Sequence, residues 1–329
     1  MIKKIIFFNL IIIIFFILAG EIILRTFKLS QLMGSDSNIL TFKDGIHSLT
    51  PNSSGLVFSK KVYIDENQTR VPSFKFKYDK DKDIIIIGDS VTFGNGVKEE
   101  NTFVGLLRKK YDSYNFYNTA VPGHDLLHHE ENLDSLSKFS KVEKVIYVFT
   151  LNDVLRDKTI VHWNNRNQEK LLEELGFVQK IIRNKFFRDI NFYLRNKSYI
   201  FMFLKGILTD PSKRWYANID IFYKENEIDH LAVFLKKLKK FSKERDAELY
   251  MIILPYEFQT RDCKNNIEHL PQQKVKEEIS KVKVNFVDFY EEFCKFKNPK
   301  KLFYKYDPMH LSKSGHKNVL KMIEREIPF

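Results

Sequence analysis

Three residues whose types can together perform acyl transfer lie in distant parts of this 329-residue sequence. Ser90 follows a run of four isoleucines, and Asp307 and His310 lie three residues apart near the carboxyl end. A serine hydroxyl is a weak nucleophile until a base accepts its proton, and histidine is the base whose pKa suits neutral pH. A neighbouring carboxylate holds the imidazole in the required tautomer. These types predict a nucleophile at Ser90, a base at His310 and an orienting carboxylate at Asp307.

The segment Asp83–Gly94 is the element that must position Ser90. Its four isoleucines, bounded by charge on one side and glycine on the other, predict a short strand buried on both faces of a parallel sheet. Ligands bind at the carboxyl ends of such strands. Further strands are predicted at 114–121, 145–149, 249–254 and 284–288, between helices at about 101–107, 125–137, 227–244, 272–281 and 314–326. This alternation predicts a doubly wound α/β fold.

Four short segments stand in the order found in a known enzyme family: Gly88-Asp89-Ser90, Pro122-Gly123, Asn152-Asp153 and Asp307-Pro308-Met309-His310. Together they resemble the SGNH, or GDSL-type, hydrolases over roughly residues 63–153 and 249–323. The resemblance implies a three-layer α/β/α, flavodoxin-like fold with a five-stranded parallel sheet. It also implies a triad of Ser90, Asp307 and His310, and acyl-enzyme chemistry that needs neither a metal nor an organic cofactor.

The same resemblance places Ser90, Gly123 and Asn152 in the oxyanion hole. Two backbone N–H groups and the Asn152 amide suit that task, because a tetrahedral intermediate needs donors aimed at its oxygen. Gly123 has no side chain, so its backbone can approach a substrate closely. Thr150 departs from the family pattern, which often has glycine there, and its branched side chain could narrow the pocket. Thr92 stands where the lipase-type Gly-x-Ser-x-Gly elbow has its second glycine, which argues against that class.

Each candidate also has a purely structural interpretation. Asp89 and Ser90 could cap the helix that follows a strand, because both residue types are common N-caps. Asp307 and Pro308 could form an ordinary turn, and His310 could be a surface histidine. A shared active site explains why these residues occur in this order at strand ends better than a coincidence of separate structural roles does.

Two further groups of residues invite chemical interpretation. His124, His128 and His129 raise the question of a metal site, since the first two would share a helix face. The required third ligand is not evident, so we expect helix-surface histidines near the active-site edge and no metal. Cys263 and Cys294 are the only cysteines, and they could pair in an exported domain or remain free thiols.

The amino terminus carries two lysines followed by a long apolar run. This pattern predicts a transmembrane signal anchor over residues 1–25, with a cleaved signal peptide as the alternative. Either would place the remaining chain outside the cytoplasm. We expect a β-rich juxtamembrane lead-in over residues 26–80 and a hydrolase domain over 81–329, with a helical insertion at about 155–228.

The formal net charge of +12 does not predict a nucleic-acid partner, because the lysines are scattered and no nucleic-acid-binding motif is present. The combined patterns predict a membrane-anchored serine ester hydrolase, similar to acylesterases or deacetylases, on the periplasmic or extracellular face. Its substrate would be an O-acylated envelope glycan or a lipid ester. Two alternatives remain: an O-acyltransferase that modifies a surface polysaccharide, and a non-catalytic binding or assembly protein with the same fold.

Overall fold

The computed structural model places the isoleucine-rich strand, Lys82–Gly88, inside an eight-stranded sheet. Ile84, Ile85 and Ile86 are fully buried and Ile87 is nearly so, as expected for a strand covered on both faces. The structure describes residues 2–30, 32–43, 46–139, 141–154, 185–212, 221–222, 228–261, 263 and 270–329.

The strands of the described residues, numbered in chain order, are β1 (Leu40–Lys43), β2 (Ile46–Leu49), β3 (Ser53–Val57), β4 (Lys60–Ile64), β5 (Arg70–Val71), β6 (Lys82–Gly88), β7 (Tyr114–Asn118), β8 (Val142–Thr150), β9 (Glu248–Leu254) and β10 (Asn285–Asp288). The first two strands pair with each other in an antiparallel sheet. The other eight form one sheet in the order β10-β9-β8-β6-β7-β5-β4-β3.

The five strands from β6 to β10 run parallel and correspond to the five strands predicted from the sequence. Counted from β6, their spatial order is 2-1-3-4-5, which is the flavodoxin-like order of doubly wound folds. The chain changes winding direction between β6 and β8. The crevice outside the carboxyl ends of these two strands is therefore the expected ligand site.

The lead-in region continues the main sheet. Strands β3, β4 and β5 add to the edge at β7 in antiparallel fashion, so the sheet is wider than the five strands predicted. The β3–β4 hairpin turns through Phe58 and Ser59, whose φ angles are 48° and 63°. Positive φ is unfavourable for a bulky residue such as phenylalanine, so the surrounding contacts must hold this turn in place.

The helices of the described residues are α1 (Ile2–Phe27), α2 (Ser90–Phe93), α3 (Phe103–Lys110), α4 (Leu126–Asn132), α5 (Lys185–Lys197), α6 (Tyr199–Leu208), α7 (His230–Lys243), α8 (Leu270–Ser280), α9 (Tyr290–Cys294) and α10 (Lys313–Glu326). Helix α3 packs against α10, whereas α7 packs against both α4 and α8. These helices bury the apolar residues of the parallel strands in one large core. A disulfide joins Cys263 to Cys294 at the end of α9, so the two cysteines pair rather than remaining free thiols.

Helix α1 is long and apolar enough to cross a membrane, although a signal sequence has the same properties. Its carboxyl-terminal part packs against α6. The Glu21 carboxylate accepts hydrogen bonds from the backbone N–H groups of Tyr199 and Ile200, at 3.0 and 2.9 Å, and so caps that helix. Helices α5 and α6 belong to the predicted helical insertion, and residues 155–184 of that insertion lie outside the described residues.

Candidate active site

Ser90 is the first residue of α2, directly beyond the end of β6. The Asp89 side chain caps this helix by accepting a hydrogen bond from the Val91 N–H at 2.8 Å. Gly88 is required at the strand end, because a Cβ there would lie 2.3 Å from the Thr92 hydroxyl. The structural interpretation of Asp89 as a cap is therefore correct, and the cap holds Ser90 at the carboxyl edge of the sheet.

The structure brings Ser90, His310 and Asp307 together although 220 residues separate the first two. The Ser90 Oγ lies 2.8 Å from Nε2 of His310, and Nδ1 of His310 lies 2.6 Å from Oδ2 of Asp307. One tautomer satisfies both contacts: Nδ1–H donates to the carboxylate while Nε2 accepts from the serine hydroxyl. All three residues are buried. This geometry suits proton transfer from the serine to the imidazole.

The surroundings of His310 favour its protonated form. Burial lowers the pKa of His310, but the charge and hydrogen bond of Asp307, together with the charge of Asp89, outweigh burial and raise the pKa above its usual value. The imidazolium that forms when Ser90 loses its proton is therefore stabilised where it arises.

The predicted oxyanion-hole residues lie at the carboxyl ends of β6 and β8 and in the segment after β7. The Val121 N–H donates to the Gly88 carbonyl at 3.0 Å, which carries the following turn past the end of β6. Gly123 in this turn has a φ of 88°, and no atom lies within 4 Å of where its Cβ would be. The space before this backbone is thus open, as a substrate-facing glycine requires.

The Asn152 side chain has a defined orientation. Its Nδ2 donates to Oδ2 of Asp89 at 3.0 Å, and its Oδ1 accepts from the hydroxyls of Thr150 at 2.9 Å and Tyr256 at 3.1 Å. Burial, followed by the charges of Asp89 and Asp153, raises the pKa of Tyr256, so its hydroxyl keeps its proton and donates. An amide with a fixed oxygen has fixed N–H directions as well, and the second Asn152 N–H has no acceptor among the described residues.

Thr150 takes part in the network that orients Asn152. It is buried, and its hydroxyl lies within 3.0 Å of the side-chain oxygens of Asn152 and Asp153. The Thr150 hydroxyl points towards this polar network. A glycine at position 150 would have no hydroxyl to donate to the Asn152 side-chain carbonyl. Asp153 also accepts from the Tyr147 hydroxyl at 2.7 Å, and burial raises its pKa to about 6.

The histidines after Gly123 are buried, so the expectation that they lie on a helix surface is wrong. The reason is that α4 packs against both α7 and β2. Nε2 of His124 lies 2.6 Å from the His47 carbonyl oxygen, and Nδ1 of His128 lies 2.8 Å from Oδ1 of Asp125. Within the part of the chain that the structure describes, no three His, Cys, Asp or Glu side chains are grouped as a metal ion would require.

Two features of the structure around the candidate triad and the α2 turn were not predicted. The Phe58 ring meets the His310 ring edge to face, with 5.3 Å between centroids. Fully buried Arg70 donates to the carbonyl oxygens of Phe93, Gly94 and Val97 and so holds the chain that leaves α2. Burial lowers the pKa of Arg70 to about 10, which leaves it charged at neutral pH. The only sign of this contact in the sequence is an arginine that precedes the isoleucine-rich strand. Its position does not show which three carbonyl oxygens it binds.

The fold has counterparts among solved structures, whereas no family model and no curated protein sequence matches this chain. A member of the lipolytic G-D-S-L family from Veillonella parvula DSM 2008 is 12% identical and aligns over 75% of this chain and 98% of its own, with a TM-score of 0.42. TesA is 12% identical, with coverages of 75% and 98% and a TM-score of 0.43. A variant of Axe2, an acetyl xylan esterase from Geobacillus stearothermophilus, is 16% identical, with coverages of 77% and 98% and a TM-score of 0.44.

These structures include the family that the sequence motifs resemble. At these identities and TM-scores, the similarity does not assign an activity to this chain. The functional proposal therefore rests on the geometry around Ser90.

Proposed function

We propose that this protein is a serine ester hydrolase of the SGNH type that acts through an acyl-enzyme on Ser90. The observation that carries the proposal is the continuous hydrogen-bonded chain from Ser90 through His310 to Asp307, at the carboxyl edge of the sheet. Each member is in reach of the next with the polarity that nucleophilic catalysis requires.

The proposed reaction proceeds in two halves. Ser90 Oγ attacks the ester carbonyl carbon while His310 Nε2 accepts the hydroxyl proton, and the Asp307 carboxylate stabilises the imidazolium. The N–H groups of Ser90, Gly123 and Asn152 stabilise the oxyanion. His310 then gives the proton to the leaving alcohol oxygen as the ester C–O bond breaks. Water, activated by His310, releases the acid and restores Ser90.

We further propose that α1 anchors the protein in a membrane with the hydrolase domain outside the cytoplasm. The two lysines before the apolar run support this orientation, because positive flanks remain in the cytoplasm. An O-acylated envelope glycan or a lipid ester is then the accessible substrate.

The test is labelling and turnover by the full-length protein in a non-ionic detergent. We expect a fluorophosphonate probe to label the wild type, and we expect hydrolysis of p-nitrophenyl acetate. Ser90→Ala abolishes both, whereas Ser280→Ala, which alters an exposed serine on α8, changes neither. Circular dichroism verifies the fold of each variant. A folded wild type without labelling or turnover refutes the proposal. Transfer of the acyl group to added polysaccharide in preference to water would identify a transferase.

A further inference from the structure

A groove of about 670 Å³ lies between the end of α1 and the candidate triad. Five lysines line it: Lys28, Lys60, Lys98, Lys305 and Lys313. None of the described lining residues is Asp or Glu. The nearest ion pair that involves the groove joins Lys98 to Glu100, at 3.7 Å, and Glu100 is not part of the lining. Such a concentration of one sign of charge produces a positive potential that favours an anionic ligand.

The outer end of the groove is attached to the exit of α1. Lys28, Leu29 and Ser30 directly follow the helix, and all three line the groove. The Tyr306 hydroxyl donates to the Leu29 carbonyl at 2.9 Å, and the Ser30 hydroxyl donates to the Tyr199 carbonyl at 2.7 Å. These contacts hold the groove beside the base of the apolar helix.

The inner end of the groove reaches residues that contact His310. Phe58 lines the groove and places its ring edge to face on the His310 ring. Tyr304 also lines it, and the Tyr304 N–H donates to the His310 carbonyl at 3.0 Å. A molecule in the groove is thus separated from the catalytic histidine by one layer of side chains.

Apolar and aromatic side chains accompany the lysines along the groove. Leu29, Phe58, Val97, Tyr199 and Tyr306 are among the lining residues. A ligand with a negative headgroup and an apolar tail would satisfy both kinds of lining. A neutral glycan would leave four of the five lysines without an ion-pair partner among the described residues, so the lining favours an anionic amphiphile.

We propose that this groove, beside the candidate active site, binds the phosphate headgroup of an anionic membrane lipid. The inference rests on the proposed function and on α1 lying in the membrane, which would place Lys28 at the lipid interface.

The test is a binding measurement on full-length Ser90→Ala in non-ionic detergent, because this variant cannot consume its ligand. Isothermal titration calorimetry compares dihexanoylphosphatidic acid with dihexanoylphosphatidylcholine, which is zwitterionic, and with glycerol 3-phosphate, which has no acyl chains. We expect the phosphatidic acid to bind at least about tenfold more tightly than either, because it alone supplies both a net charge and an apolar tail.

Charge-removing variants in the same background locate the site. Lys60→Gln with Lys305→Gln should weaken phosphatidic acid binding by about tenfold or more, since each lysine near an anionic headgroup contributes several-fold to affinity. Lys236→Gln with Lys240→Gln removes the same charge from the exposed face of α7 and should leave the affinity within about twofold.

Equal losses in the two pairs of variants would overturn the proposal, as would equal binding of phosphatidylcholine. Equal binding of glycerol 3-phosphate would show a site for soluble phosphate compounds and would overturn the lipid assignment. Failure of the proposed function is seen separately, because it appears as absent p-nitrophenyl acetate hydrolysis by the wild type. That result leaves the calorimetric comparison interpretable.

Discussion

Two of the Asp-x-x-His segments in this chain, Asp125–His128 and Asp307–His310, form nearly the same local structure in different surroundings. Nδ1 of His310 lies 2.6 Å from Asp307, and Nδ1 of His128 lies 2.8 Å from Asp125. All four residues are buried. The two pairs differ in what the rest of each imidazole meets. His310 presents Nε2 to the Ser90 hydroxyl, whereas the His128 ring stacks on the His124 ring at 5.4 Å.

The two carboxylates also differ in how they are shared. Asp125 is the N-cap of α4 and accepts from the N–H groups of Leu127 and His128 at 3.0 and 3.1 Å. In Asp307, Oδ2 bonds to His310, and Oδ1 is buried with no hydrogen-bond partner in the described structure. A carboxylate that accepts fewer other hydrogen bonds stabilises the protonated form of its histidine more strongly. The comparison shows that residues three apart in sequence suffice to form a histidine–carboxylate pair. The nucleophile, in contrast, is brought to the pair from a distant part of the chain by the fold.

Exchange of each histidine for alanine should separate the two regions most clearly. His310→Ala should lower kcat for p-nitrophenyl acetate by about 10⁴–10⁶-fold, because Ser90 loses its base. His128→Ala should keep kcat within about tenfold and lower the free energy of unfolding by about 1–3 kcal/mol, since it removes a buried hydrogen bond and ring contacts. Steady-state kinetics and chemical denaturation measure the two effects. Similar kinetic losses in both variants would remove the distinction.

The carboxylates give the next largest contrast. Asp307→Asn should reduce kcat by about 10⁴-fold, because the amide favours the wrong imidazole tautomer. Asp125→Asn should leave kcat within about threefold, since asparagine is as good an N-cap as aspartate. The rate of fluorophosphonate labelling provides an independent readout. Loss of labelling in Asp125→Asn would mean that the second pair takes part in the chemistry.

The pH dependence of activity should report His310. Catalysis needs its neutral form, and the pKa of His310 is raised, so kcat/KM should fall on acidification with a midpoint above the usual histidine value of about 6.5. Below the midpoint the loss should approach about tenfold per pH unit. Asp307→Asn should move the midpoint of the residual activity to lower pH, because the raising charge is gone. An unchanged midpoint would show that another group titrates.

The stability of the second region should respond to acid for a different reason. Burial, followed by the charge of His129, lowers the pKa of His124 to about 3. As pH falls from about 6.5 towards 3, His124 therefore binds a proton in the unfolded chain but stays neutral in the folded chain. The free energy of unfolding then decreases by up to about 1.4 kcal/mol per pH unit. Melting temperatures at pH 7.5 and 5.5 should differ less in His124→Gln than in the wild type. Equal differences would contradict the assignment.

The smallest effect concerns the network between the two regions. Asp153 contacts Thr150 on one side, and Nε2 of His129 lies 3.7 Å away on the other. Thr150→Ala should lower kcat by about three- to tenfold, because the Asn152 carbonyl loses one of its two hydroxyl donors. Thr150→Ser should restore the rate. A rate that rises in Thr150→Ala would instead support a pocket narrowed by the threonine methyl.

Strands β6, β8 and β9 were predictable because an unbroken apolar run between turn signals is a local property of a buried strand. The Asp89 cap and the Asp307–His310 pairing were accessible for the same reason, since each joins residues at most three apart. The proximity of Ser90 to His310 was predicted from the order of the four motifs, because that order resembles a family of known fold. The distance between the two residues is a property of the structure alone.

Phe58 and Arg70 were missed because their contacts join distant segments of the chain. Phe58 contacts His310 because the β3–β4 hairpin continues the main sheet, and no local sequence pattern predicts that continuation. Arg70 finds its three carbonyl acceptors more than twenty residues away. The Thr150 hydroxyl contacts Asn152 and Asp153, and the Tyr256 hydroxyl, about a hundred residues away, donates to the same Asn152 carbonyl.

The sequence by itself determined which segments become buried strands and which residue pairs meet within one turn, because periodicity and short hydrogen bonds act along the chain. Only the tertiary structure decided which of two similar histidine–carboxylate pairs faces a serine. It also decided that His124 and His128 lie inside the protein and that five lysines from separate segments share one groove. Burial and electrostatic potential arise from all neighbours in space, and most of those neighbours are remote in sequence.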